Sequence, residues 1–399
     1  MRVLHGLLLT TLLAACEPGT QAPSPPTAPI AVAQRMAAPP DPGFARALVP
    51  RPFVFPDDHG AHPAFATEWW YFTGNLQDDA GRPFGYQLTF FRIGLRPGTA
   101  PADSAWRSHQ LYMAHLAISD IADRRHHSAE RFSRAAAGLA GAHVSPLAVW
   151  LGPWSIHSTG ERTFPLRLRA QSEGFALDLQ IERGPKALVP QGERGLSRKG
   201  AAPGNASYYY SLTRLPTRGE LRIGERRHTV SGNSWFDREW SSSALAADQA
   251  GWDWFALQLD DGRDLMFYRM RGTDGKAQRF SNGVLVDAEG QAQRLDAAQV
   301  DVTPDYFWRD EDGVGYPLGW HLRVPAHGLD LRIRARFDDQ EMRHAVRYWE
   351  GAVGVSGSHA GVGYLELSGY GQRPQDGATS LSEERHADRA VSTDRHTSR

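Results

Sequence analysis

Apolar and polar positions along this chain alternate in short runs, and no long segment carries a helical stripe. Glu68–Gly74 is aromatic and ends on a glycine, and Tyr86–Arg92 alternates before losing its period. Phe164–Arg169, Phe175–Ile181, Trp252–Leu259, Leu265–Met270, Leu318–Val324 and Leu329–Ala335 have strand length and loose period-two character. Turn signals separate them: Asp79-Ala80-Gly81, Asp261-Gly262, Asp274-Gly275, Asn282-Gly283 and Glu289-Gly290. Ala135–Ala140 is the one short segment the pattern predicts as helix. An all-β architecture of hairpins follows, a sandwich or a barrel.

An internal echo adds a domain count. Trp69-Trp70-Tyr71-Phe72 runs into Asp78-Asp79-Ala80-Gly81-Arg82 and an aromatic strand ending at Arg92. Trp252-Asp253-Trp254-Phe255 runs into Asp260-Asp261-Gly262-Arg263 and a strand ending at Arg269. Two related β-domains are the economical reading, placed at residues 51–228 and 229–370.

The ends read differently from this core. Arg2, an apolar run from Val3 to Leu13 and the sequence Leu13-Ala14-Ala15-Cys16 resemble a bacterial lipoprotein signal, with residues 1–15 removed and Cys16 lipidated. The run is too short to span a bilayer. Residues 17–50 hold nine prolines and no aromatic before Phe44, so 16–50 reads as an extended tether. Residues 371–399 contain no Phe, Trp or Tyr and read as a disordered tail. The expected location is the bacterial cell envelope, lipid-anchored, on the periplasmic face of the outer membrane.

Composition narrows the partners. The 399 residues carry 44 Lys and Arg against 45 Asp and Glu, which argues against nucleic acid. With Cys16 as the single cysteine, no disulfide framework or thiolate metal site can form within the chain. The 12 Trp, 12 Tyr and 17 Phe must be buried or must line an apolar site.

The densest chemistry lies at Trp235-Phe236-Asp237-Arg238-Glu239-Trp240. On a strand Trp235, Asp237 and Glu239 share one face, with Phe236, Arg238 and Trp240 opposite. Two acids against indoles either raise one carboxyl pKa toward neutrality, as a general acid needs, or pair with arginine at a strand end. Glu68, beside Trp69 and Trp70, is either a second such acid or a core residue bonded to a loop. His115 in an apolar strand is either a satisfied core histidine or a catalyst. The hydroxyls of Ser207-Tyr208-Tyr209-Tyr210-Ser211 either line a cavity or finish a strand. No Gly-x-Ser-x-Gly elbow, P-loop, dinucleotide fingerprint or zinc spacing is present.

Taken together, His62-Pro63-x-Phe65-x-Thr67-Glu68-Trp69-Trp70-Tyr71, Ser207–Ser211, Trp235–Ser241, Gly251–Phe255, Tyr316–Trp320 and Tyr348-Trp349-Glu350-Gly351 resemble the AttH/carotenoid 1,2-hydratase family. The resemblance covers about residues 55–370. It implies two tandem lipocalin-like β-barrel domains and, for the hydratases, cofactor-free acid catalysis. In that chemistry a carboxylic acid protonates an isolated double bond, a tertiary cation forms and water adds. The family's aromatic-x-Asp motif matches Trp235-x-Asp237, and its His-x-Trp pattern stands here as Tyr208-x-Tyr210. The expected catalytic set is Asp237 as donor, Glu239 tuning it or orienting water, and Tyr208, Tyr210 and His115 polarising or positioning. Glu68, Trp70, Trp235, Trp240, Trp252 and Trp254 are expected to bind the ligand, and no metal or cofactor is expected. The alternative is a non-catalytic carrier of lipids or exported hydrophobic compounds, working beside ABC-transporter components.

Overall fold

A computed structural model of the chain describes residues 41–98, 104–243 and 245–371. The expected leader, Cys16, the tether to residue 40 and the tail from residue 372 lie outside them.

Among the described residues, two antiparallel sheets account for the fold. The first comprises β1 (Thr67–Asp78), β2 (Pro83–Gly94), β3 (Gln110–Asp120), β4 (Arg125–Arg134), β5 (Ala140–His143), β6 (Ala148–Leu151), β7 (Trp154–Ser158), β8 (Leu166–Ser172), β9 (Phe175–Ile181), β10 (Val189–Pro190), β11 (Leu196–Arg198), β12 (Ala206–Ile223) and β13 (Arg226–Ser241). Its order is β4-β3-β2-β1-β13-β12-β9-β8-β7-β6-β5, and it curls into a nearly closed barrel. The second comprises β14 (Gln249–Leu259), β15 (Asp264–Gly272), β16 (Asn282–Val286), β17 (Ala292–Asp296), β18 (Asp301–Arg309), β19 (Gly315–Val324), β20 (Leu329–Ala335), β21 (Glu341–Arg343), β22 (Arg347–Gly357) and β23 (Gly361–Ser368). Its order is β17-β16-β15-β14-β23-β22-β20-β19-β18, a half-barrel.

Among the described residues three large apolar layers dominate the packing, and they explain where the period-two pattern holds. Phe72, Leu88, Leu116, Leu168 and Phe236 fill the first barrel, while Phe255, Leu322, Trp349 and Leu365 fill the second. A third layer, with Tyr71, Tyr209, Trp235, Trp254, Ala256 and Tyr364, lies in the seam between the sheets. β9 and β20 cover one barrel interior each and alternate cleanly. β1, the 234–241 half of β13, β14 and β15 face a barrel interior on one side and the seam on the other. They are buried on both faces and lose the alternation. Gly85 permits the close approach of β2 to β22, since a methyl there would sit 2.8 Å from the Ala352 methyl.

Three expectations need correction. The division at 228/229 falls inside β13, which pairs with β1 from Val230 to Ser241 and so belongs wholly to the first sheet. The chain changes sheets between Ser241 and Gln249. The expected tether to residue 50 ends early: Phe44 and Ala47 are buried, Ala45 donates to the Ala64 carbonyl at 2.8 Å, and Val49 accepts from Tyr208. The expected helix at Ala135–Ala140 is a turn, because Ala137 and Gly138 adopt left-handed backbone angles that a right-handed helix excludes. The two echoing segments do form the opening hairpins, β1–β2 and β14–β15, of the two sheets.

Candidate functional site

Strand parity divides the expected residues between two places. Even positions of β1 and β13 point into the first barrel. There Glu68 meets Arg92 and Arg238, and both its oxygens accept the His62 backbone N–H at 2.9 and 3.0 Å. Burial would raise the Glu68 carboxyl, but the two guanidiniums hold it well below the usual carboxylate range. Arg238 also stands 4.0 Å above the Trp70 ring. The Trp240 indole stacks on His62 with ring centres 3.8 Å apart. Glu68, Trp70 and Trp240 thus close one end of the barrel and do not meet Asp237.

Tyr208 and Tyr210 lie on that same inner face. The Tyr208 hydroxyl donates to the Val49 carbonyl at 2.9 Å, and the Tyr210 hydroxyl lies 2.6 Å from His59 Nδ1. The expected pair thus lies away from Asp237, and the residue between them is the one that reaches it. Tyr209 faces the seam, and its hydroxyl donates to Asp237 Oδ2.

Odd positions build the seam site. One row crosses the first sheet in register: Ser211, Asp237, Tyr71, Thr89, His115, Glu130. Asp237 Oδ1 accepts from Ser211 at 2.5 Å and from the Trp235 indole at 2.7 Å. Burial pushes the Asp237 carboxyl up to about 7, against these donors and with help from the neighbouring charge of Glu239. Glu239 is anchored by Lys199 at 3.2 Å. The Trp254 indole, from the second sheet, donates to Tyr209 at 3.2 Å and packs edge-on against Tyr71 and Trp235. At three strand spacings of ~4.8 Å, His115 stands roughly 14 Å along the row from Asp237. It bonds instead to Tyr348 at 2.7 Å and Glu130 at 3.0 Å.

The second sheet contributes acids of its own. Trp254, Glu366 and Glu350 form a row facing the first. Tyr71 donates to Glu350 at 2.6 Å, and the half-buried Trp252 donates to Glu366 at 2.7 Å. Burial and the adjacent Glu366 push the Glu350 carboxyl well above its usual range, and burial pushes Glu366 up to about 7. Among the described residues, Asp237 and Glu350 are the two buried carboxyls without a Lys or Arg partner. An unpaired buried carboxylate is costly, so such groups keep their protons near neutral pH. Among the same residues, no group of three or more His, Cys, Asp or Glu is placed to hold a metal.

Of the residues the sequence singles out, Trp235, Asp237, Glu239, Trp252 and Trp254 lie on the seam side of their strands. No site role is expected from the sequence for Tyr71, Glu350 or Glu366, while Tyr209 and Ser211 belong to the hydroxyl run Ser207–Ser211 that it singles out. Glu350 and Glu366 each interrupt an apolar alternation, in Trp349-Glu350-Gly351-Ala352 and Tyr364-Leu365-Glu366-Leu367, and that was the available signal.

A barrel and a half-barrel sharing an aromatic, acid-bearing seam define a protein of the lipocalin-like tandem class. The chain belongs to the AttH-like family, whose profile matches residues 46–370. A crystal structure assigned as AttH from Nitrosomonas europaea is 35% identical, with a TM-score of 0.73, over 82% of this chain and 99% of that one. Kievitone hydratase of Nectria haematococca shares the fold at 16% identity and a TM-score of 0.60, over 84% of this chain and 98% of that one. The dehydratase asqC of Emericella nidulans is 21% identical over 184 residues, 44% of this chain and 50% of that protein. The chain thus spans about half the length of that curated relative.

Proposed function

We propose that this protein adds water to, or removes it from, a carbon–carbon double bond of a neutral apolar molecule held in the seam, with Asp237 moving the proton at carbon. The observation that carries this reading is a buried, cation-free carboxyl, pushed up to about 7, enclosed by Trp235, Trp254 and Tyr71. Such an acid still carries its proton near neutral pH and can deliver it in a dry site, and the aromatic faces stabilise a carbocation without trapping it. The names of two relatives, a hydratase and a dehydratase, support the same reaction type. The test is turnover of trisubstituted alkenes by purified protein. Asp237→Asn is expected to lower it by about 10²–10⁴-fold, and unchanged turnover rules the role out.

A second reading, a carrier for hydrophobic compounds, is favoured by one feature: both Asp237 oxygens are already engaged by protein donors. It predicts that mass spectrometry of co-purifying material finds the ligand chemically unaltered. A hydrated or dehydrated product counts against it.

The proposed setting is the bacterial envelope, with Cys16 as the lipid anchor. Radiolabelled palmitate should be incorporated by cells expressing the full chain and not by Cys16→Ser. Equal labelling of both removes the anchor.

A further inference from the structure

We propose that Glu350, paired with Glu366, is the second acid–base group of this site and holds the oxygen of the water or hydroxyl being added or removed. This rests on the water-adding reading above.

Three observations carry it. Glu350 and Glu366 oppose each other in register on β22 and β23, and two carboxyls so placed are stable only when they share a proton. Glu350 Oε1 accepts from Tyr71, and its buried Oε2 meets no N–H or alcohol donor; the proton shared with Glu366 occupies one site of the pair, which leaves a lone pair for a water or hydroxyl. A second orphan acceptor, Gln87 Oε1, lies in the same layer, where Gln87 Nε2 donates to Tyr348 at 3.0 Å. The geometry also places the pair against the first acid. Tyr71, in register beside Asp237 on the first sheet, donates to Glu350 of the second. Trp69, Trp252 and Glu366 are half-buried, so the seam is less covered there than at Asp237 and Glu350.

The proton count closes. In hydration, protonated Asp237 gives its proton to one alkene carbon and the π electrons form the C–H bond. The oxygen of the water held by Glu350 bonds to the other carbon, and its released proton goes to the Glu350–Glu366 pair, which has room for a second. Dehydration is the reverse: the doubly protonated pair gives a proton to the leaving hydroxyl as the C–O bond breaks, and ionised Asp237 takes the proton from the adjacent carbon. In each direction one acid loses the proton the other gains.

The test uses the purified full chain with the tertiary alcohols linalool and α-terpineol as probes in oxygen-18 water, following label exchange by mass spectrometry. Wild type is expected to exchange the hydroxyl oxygen. Glu350→Gln, with unchanged circular dichroism, is expected to lose exchange by about 10²–10⁴-fold and to lack an infrared band of a protonated carboxyl present in wild type. Equal exchange by wild type and Glu350→Gln overturns this inference alone. No exchange by wild type removes the water-adding reading and this inference with it. Should Glu350→Gln not fold, Glu366→Gln, which breaks the proton sharing at the half-buried partner, is expected to lose exchange, and full exchange there overturns the proposal.

Discussion

Asp237 shows how one side chain couples chemistry to stability. Its proton is needed for donation to carbon, so hydration should fall as pH rises through about 7. The same shift has a thermodynamic sign. A carboxyl with a raised folded-state pKa binds more protons folded than unfolded, so its contribution is complete below the unfolded value and is lost as pH rises through about 7. The melting-temperature advantage of wild type over Asp237→Asn should therefore grow as pH is lowered from 8 toward 5. An advantage that shrinks over that range contradicts the assignment. Tyr209 donates to this carboxylate, so Tyr209→Phe should move the alkaline limb of the pH–rate profile to higher pH. Tyr210→Phe, whose hydroxyl serves the barrel end, should not move it.

At the scale of the strand, β13 serves two tasks by alternation. Its odd residues carry the seam acid and its even residues carry Arg238, which with Arg92 neutralises Glu68 at the barrel end. Removing Glu68's charge leaves two guanidiniums buried without their counter-ion. Glu68→Gln is expected to cost about 3–5 kcal/mol in denaturant unfolding; a change below about 1 kcal/mol would show that the triad is not a stability element. This division was partly legible beforehand. Period two put Trp235, Asp237 and Glu239 on one face, because that needs only the strand. It could not say which tyrosine of Tyr208–Tyr210 would join them. That depends on the register of β12 against β13, where Ser211 opposes Asp237 and a bulge follows between Leu212 and Leu215. Glu350 and Glu366 were further out of reach. They come to Asp237 only when two sheets pack, and no local pattern encodes a partner more than a hundred residues away.

For the molecule as a whole, the seam joins the sheets through more than apolar contact. Asp264 of the second sheet binds Lys186 and Arg214 of the first part of the chain at 2.8 and 2.7 Å, and Thr213 donates to it at 2.7 Å. Gln258 donates to the Thr213 carbonyl at 2.6 Å. Separating the sheets would expose Tyr71, Tyr209, Trp235 and Trp254 and strip these charges of partners. Calorimetry should therefore show one cooperative transition for the whole chain. Two resolved transitions would mean that the sheets are independent domains. The fold class and the pairing of echoing hairpins could be read from turn spacing and strand length. The half-closed state of the second sheet and the point of changeover between sheets could not.

The alternation of β13 also bears on how such a protein changes over generations. Because the barrel-end triad and the seam acid occupy opposite faces of one strand, substitutions at the odd positions leave the triad's contacts untouched. The seam can therefore be rewritten residue by residue while the barrel persists, giving lineages with one scaffold and divergent chemistry. A single-residue insertion within the strand has the opposite effect. It carries the arginine into the seam and the aspartate into the barrel, and both tasks fail together. Descendants should accordingly differ by replacement along this strand and not by length.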